Sequence, residues 1–326
     1  MYRVKDWKRL GKKHDTISEK CIQWIRSKKE EPILYCDLVE WFYSTFKNEK
    51  IKRAFPIGIS KNNIGAHDTA MLGDTRSFHP KTDIVCIDFG IHEKGYIIDS
   101  AFTWNPRYIY EEPLQSLHST CIDVSKEAVK KMTSLCRPDA LLFDIAREVE
   151  EIVLSYDDIY GIPELTGHTI ERWNIHGEKL IPSSTKISSF FENNPRINVH
   201  DVCALEVYIT TSPTKVIMDA VEATNHFLFR KPATAFPQCF TERTKQIITS
   251  LQRYDSLRLP FSQHYVMEQP SKHWTYMVNE CYGNNLLSLY PPVKVKKEHI
   301  IAQTEDTVYV SDNITHLLTT KQNYQH

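Results

Sequence analysis

No two of the eight cysteines in this 326-residue chain form a C-x-x-C pair, which leaves out a thiol redox or metal-binding cysteine motif. Cys21, Cys36, Cys86, Cys121, Cys136, Cys203, Cys239 and Cys281 are scattered, several inside apolar runs such as IVCIDFG and DVCALEV, and read as small buried hydrophobes. No apolar run is long enough to span a bilayer. Met1 is followed by charged residues rather than by an apolar signal region, so the expectations are a cytoplasmic location, reduced thiols and no membrane association. An excess of one charge sign is also lacking, with 40 Lys and Arg against 41 Asp and Glu, so the whole-chain field is not that of a nucleic-acid binder. Short-period repeats and low-complexity tracts are absent, which argues against solenoids and linkers.

What is present is a core. Apolar residues make up 41% of the chain, and six Trp, 16 Tyr and 14 Phe supply large side chains to bury, enough for one large domain or two ordinary ones. Residues 1–30 carry ten basic side chains against four acidic ones. Trp7, Leu10, Ile17, Cys21 and Trp24 recur at helical spacing there, so the segment reads as an amphipathic helix with a solvated basic face. The same face leaves a docking role on a ribosome open.

Helical spacing predicts helices over residues 5–28 and 35–48. IVCIDFG and YIIDSAFTW, separated by a polar turn at His92 to Gly95, predict a β-hairpin. Helices are expected over 113–135 and 140–155, started by Pro113 and Pro138. VCALEVYITT and HIIAQTEDTVYV are further strands, and between them lies a mostly helical stretch with helices at 240–253 and 272–282. The layout is that of an α+β fold with an antiparallel sheet and helices packed on one side.

Acids inside apolar strands are the anomaly, because Asp and Glu are seldom buried without a partner. Asp88, Asp99, Glu206 and Glu305 are four such acids, and His168 stands in a TGH segment. Together they match the oxygen-rich donor set of a dinuclear hydrolytic metal site. Asp88 and Asp99 lie across the hairpin and can emerge on one face. On the residues alone, a metal site and a set of buried, hydrogen-bonded acids both remain open.

AFPIG (54–58), NNIGAH (62–67), GDT (73–75), IDFG (87–90), IIDSAFT (97–103), GHTIERWNIH (167–176), ALE (204–206), LPF (259–261), YPP (290–292) and AQTEDT (302–307) form an ordered series. It resembles the motif series of type 2 methionine aminopeptidases over about residues 5–310. The resemblance implies a pita-bread fold, a pseudo-symmetric antiparallel sheet with helices packed outside. Residues 1–50 would supply N-terminal helices, 51–212 and 288–326 the catalytic core, and 213–287 the helical insert of type 2 enzymes. It implies a monomeric enzyme that removes methionine from the N-termini of nascent polypeptides with a small second residue.

Two divalent ions (Mn, Co, Fe or Zn) would be held by Asp88, Asp99, His168, Glu206 and Glu305, with Glu206 also receiving a proton. His67 and His176 would be catalytic, donating to the oxyanion and the leaving nitrogen, and His67 would react with fumagillin-type epoxides. Phe55, Ile175, His226 and Tyr290, with both histidines, would form the methionine pocket. Asp68, Glu178 and Asp306 depart from the type 2 pattern, and as added acids are expected to make the site more negative; the epoxide reaction at His67 is expected unless Asp68 keeps that ring protonated. A non-catalytic pita-bread protein that binds ribosomes or RNA is the alternative, against which stands the presence of all five ligands. A prolidase or aminopeptidase P is disfavoured because its large N-terminal domain has no room here.

Overall fold

The computed structural model describes residues 3–29, 31–106, 117–219, 223–230, 240–252, 258–266 and 272–324. Pro113 as a helix start and the burial of Cys239 lie outside these residues.

The chain opens with α1 (Val4–Ser27) and α2 (Tyr35–Asn48), close to their expected bounds. Trp7, Leu10, Ile17 and Cys21 are buried on α1 as its periodicity requires, while Trp24 is half-buried and His14 and Ile25 complete the stripe. Three of the basic side chains are not free on the solvated face. Arg9 and Lys13 bind Glu93, at 2.6 and 3.2 Å, and Lys20 binds Glu49 at 2.5 Å.

β1 (Gly58–Lys61), β2 (Val85–Glu93) and β3 (Tyr96–Trp104) form the first antiparallel sheet. The β2–β3 turn is tighter than expected. Glu93 pairs with Tyr96, so only Lys94 and Gly95 turn, both at positive φ (54° and 84°). A two-residue type I′ turn demands that sign at both positions. Gly95 also leaves room for Trp173, whose ring a Cβ would meet at 2.4 Å.

α3 (Leu117–Leu135) and α4 (Leu142–Leu154) follow. The second starts four residues beyond Pro138. Asp139 is at positive φ, and its N–H is taken by the Ile197 carbonyl, so the chain turns once more before the helix can begin. β4 (Gly167–Ile170), β5 (Val202–Thr210), β6 (Phe227–Phe229), α5 (Glu242–Gln252), α6 (Lys272–Gly283), β7 (Leu287–Leu289), β8 (Ile301–Val310) and β9 (Thr315–Leu317) complete the main elements. The second sheet runs β4–β5–β8–β9.

Each sheet has its own helical cover. Leu10, Ile17, Leu38 and Phe42 pack with Ile87, Phe89 and Ile98 under α1 and α2. Ile122, Val129, Ile145 and Val149 pack with Leu205, Val207 and Val308 under α3 and α4. The stretch between β5 and β8 has a separate core of Phe227, Phe261, Trp274, Met277 and Leu287, and it includes the β6–β7 pair besides helices.

The two sheets meet where β3 runs beside β8, and threonine hydroxyls make this seam. Thr103 Oγ1 donates to the Gln303 carbonyl at 2.7 Å and accepts from the Gln303 N–H at 2.8 Å. Thr307 does the same for Asp99, accepting from its N–H at 3.0 Å and donating to its carbonyl. The Ser100 hydroxyl donates to the Glu305 carbonyl. Each strand thus satisfies the buried backbone of the other through side chains. Thr307→Val keeps the shape and removes both bonds, so it is expected to cost about 2–4 kcal/mol from two stranded backbone groups, measured by urea unfolding. A change under about 0.5 kcal/mol would show that the seam does not depend on this hydroxyl.

Candidate metal centre

Strand register brings the acids together. Glu206 on β5 pairs directly with Glu305 on β8, and His168 on β4 pairs with Ala204, two residues from Glu206 and therefore on the same face. On the first sheet Asp99 pairs with Gly90 and Asp88 with Ala101, which puts both aspartates on one face, diagonal to each other. The seam then apposes the two faces. His168 Nε2 lies 3.8 Å from Asp99 Oδ2 and 3.7 Å from Glu206 Oε1. Asp99, His168 and Glu305 each offer a ligand atom within 4.8 Å of the others.

Like charges directly opposite on a sheet repel, and here they are also buried. Burial, then the neighbouring carboxylates, holds Asp99 and Glu305 well above the usual range. Burial raises Asp88 to about 7 and Glu206 to about 8. Asp88 Oδ1, Asp99 Oδ1 and Glu305 Oε1 are three buried oxygens with no hydrogen-bond partner among the described residues. The His168 Nδ1–H donates to the Thr169 carbonyl at 3.2 Å, which leaves the Nε2 lone pair facing the carboxylates. Unpartnered carboxylate oxygens and one imidazole lone pair on a single point are what a divalent cation requires, so the residues fit a metal.

The structure also supplies two groups that the sequence reading did not assign. Gln303 Nε2 donates to Asp88 Oδ2 at 3.2 Å and to the Tyr208 hydroxyl at 2.7 Å, and Tyr208 in turn hydrogen-bonds Glu206. Gln303 stands two residues before Glu305 and Tyr208 two after Glu206, so strand alternation alone would have found them.

The remaining candidates line the same cleft: Phe55, His67, Ile175, His176, His226 and Tyr290. Their rings form a box, with His67 5.3 Å from Tyr290 and 5.8 Å from His226, His226 5.2 Å from Tyr290, and Phe55 stacked on His226 at 6.5 Å. His176 stands edge-on to His168 at 4.6 Å and opens onto the cleft. The desolvating walls, and after them His168 and His67, hold its imidazole below the usual histidine range.

Burial lowers the pKa of His67 to about 4, and its Nδ1–H donates to the Pro291 carbonyl at 3.2 Å. One expectation needs correction, because the extra acids do not crowd the site. Asp68 pairs with Arg76 at 2.8 Å and does not protonate His67. Asp306, next to Glu305 and hence on the opposite face, accepts from the Thr319 hydroxyl and the Lys321 N–H, each at 2.7 Å, and reaches Glu305 only as the least of the charges that raise it. Glu178 is exposed.

The profile of metallopeptidase family M24 matches residues 6–312. The chain belongs to this family. Methionine aminopeptidase 2 of Verticillium alfalfae is 25% identical over 280 residues, which cover 83% of this chain and 59% of that protein. The chain thus spans about three fifths of the length of such curated relatives. Among solved structures, a thermophilic Arx1 superposes with a TM-score of 0.77 at 17% identity, over 98% of this chain and 92% of that one. Methionine aminopeptidase from Thermotoga maritima superposes with a TM-score of 0.62 at 16% identity, over 96% and 94%. These likenesses establish the pita-bread fold of M24 proteins. Membership in a metallopeptidase family agrees with the donor set read from the geometry.

The charge cluster makes the stability of the metal-free protein depend on pH. Below about pH 3 these carboxyls are protonated in folded and unfolded chains alike. As pH rises, the unfolded chain ionises first, while Asp88 and Glu206 keep their protons to about 7 and 8 when folded. The metal-free protein should therefore lose stability between about pH 4.5 and 8. Thermal melts in EDTA are expected to show Tm falling across that window, and excess Mn²⁺ at pH 8 to restore it. A flat profile in EDTA would mean that the cluster holds no strain for a cation to relieve.

Proposed function

We propose that this protein is a dinuclear metal-dependent aminopeptidase that hydrolyses the N-terminal methionine from nascent chains with a small second residue. The observation that carries the reading is the junction of two environments. A cluster of four carboxylates and His168, with three orphaned oxygens, opens directly onto a box of Phe55, His67, Ile175, His226 and Tyr290. An acidic wall suits a substrate ammonium, and an aromatic slot suits an unbranched thioether.

Asp88, Asp99, His168, Glu206 and Glu305 would hold the ions, which when bound polarise a scissile carbonyl and lower the pKa of water. Glu206 is the group to receive a proton, and Tyr208, hydrogen-bonded to it, orients it. His67 offers Nε2 as an acceptor to the substrate amide N–H, with Pro291 fixing the ring. His176 stands over His168 and Tyr290, where it positions the same amide. Phe55, His226 and Tyr290 exclude water from the side-chain slot.

Calorimetric metal titration together with turnover of a Met-Ala-Ser peptide tests this reading. Glu305→Ala should lose metal and activity together. His67→Ala should keep its metal while kcat falls by a factor on the order of 10² to 10⁴. Full metal occupancy with unchanged turnover in Glu305→Ala would defeat the assignment, as would wild-type turnover in His67→Ala.

Because His67 is neutral with Nε2 unprotonated, a fumagillin-type epoxide is expected to alkylate that nitrogen at a rate nearly independent of pH above about 5. Mass spectrometry locates the adduct. Attachment elsewhere, or a steep rise in rate between pH 6 and 8, would contradict the neutral tautomer.

A further inference from the structure

A second cavity, of about 380 Å³, lies behind the wall of the metal-site cleft. That wall is one strand pair thick. Phe227 pairs with Leu289, and the Tyr290 N–H donates to the His226 carbonyl at 3.0 Å. Side chains alternate along both strands, so His226 and Tyr290 face the cleft while Phe227 and Leu289 face the second cavity. The size falls within the roughly 300–1,000 Å³ of small-molecule sites.

The chemistry of the lining narrows the ligand. Phe227 and the Trp274 indole are buried and give it an aromatic floor, with Val278 and Leu289 beside them. Among the described residues the lining holds no acid, lysine, arginine or histidine, so a charged ligand would be desolvated there without compensation. Thr224 lines the same space, is 8% exposed, and its hydroxyl has no hydrogen-bond partner among the described residues. A buried hydroxyl seldom stays unpaired, so this one marks where a ligand acceptor belongs. Asn279, exposed at the mouth, adds an amide.

We propose that this cavity binds a neutral aromatic amide, with the ring against Phe227 and Trp274 and the carbonyl accepting from Thr224. Aromatic rings favour offset or edge-on packing on such a floor, and the amide supplies the acceptor that the threonine lacks. The site stands on its own cavity and does not depend on peptide hydrolysis next door.

The test is calorimetric or saturation-transfer binding of N-acetyl-phenylalaninamide to the full chain, with phenylacetate and phenethylamine as charged counterparts. The neutral probe is expected to bind at least about tenfold more tightly than either. Thr224→Val, which keeps the shape, should weaken it about fivefold. Val278→Trp, which fills the cavity, should abolish binding, and EDTA-treated and Mn²⁺-loaded protein should bind alike. No saturable binding of the neutral probe, binding that survives Val278→Trp, or binding that requires metal and so belongs to the cleft would each overturn the proposal. Should Val278→Trp fail to fold, an unchanged affinity in Thr224→Val is sufficient to reject it.

Discussion

Glu206 and Glu305 face each other because β5 and β8 pair in one register, and every feature of the cleft has to accommodate that confrontation. A shift of either strand by one residue would turn its glutamate into the apolar core beneath α3 and α4. Nine consecutive pairs fix the register, and the core formed by alternate residues such as Leu205, Val207 and Val308 holds it there. Hydrophobic burial on one face therefore enforces electrostatic crowding on the other. Asp99 is held in the same crowd by Thr307, whose hydroxyl occupies both of its backbone groups.

The ring system beside the carboxylates follows from the same arrangement. His67 enters at positive φ (64°) after Gly65 and Ala66, and its ring is pinned by Pro291. His226 and Tyr290 arrive on a strand pair that belongs to the separate core between β5 and β8. One wall of the slot thus comes from a unit with a core of its own. Arg53, in a short strand Lys52–Arg53 that pairs with β2, reaches across to the Pro260 carbonyl at 3.1 Å and ties that unit down.

Much of this was legible in the sequence because the signals are local and periodic. An acid in an apolar strand is conspicuous, and alternation tells which neighbours share its face, so Asp88, Asp99, Glu206 and Glu305 could be read before any coordinates. The same rule, carried two residues further, yields Tyr208 and Gln303. Carried one residue, it turns Asp306 away from the site. Asp68 was not legible in this way. Its direction depends on the backbone at His67 and on Arg76 eight residues later, neither of which periodicity encodes. The hydroxyl seam was equally hidden, since a threonine in a strand looks like any other β-branched residue until its partner across two hundred positions is known.

The two halves of the metal site differ sharply in how far apart they are along the chain. Asp88 and Asp99 belong to one hairpin closed by two residues, whereas Glu206 and Glu305 are brought together only after almost a hundred residues have been looped back. Hairpins close in roughly 1–10 μs, while pairing between distant strands waits on the entropy of the intervening loop. The aspartate pair therefore needs only a local turn to come together, while the remaining three groups depend on pairing between distant strands. A complete cage exists only once the longest loop has closed.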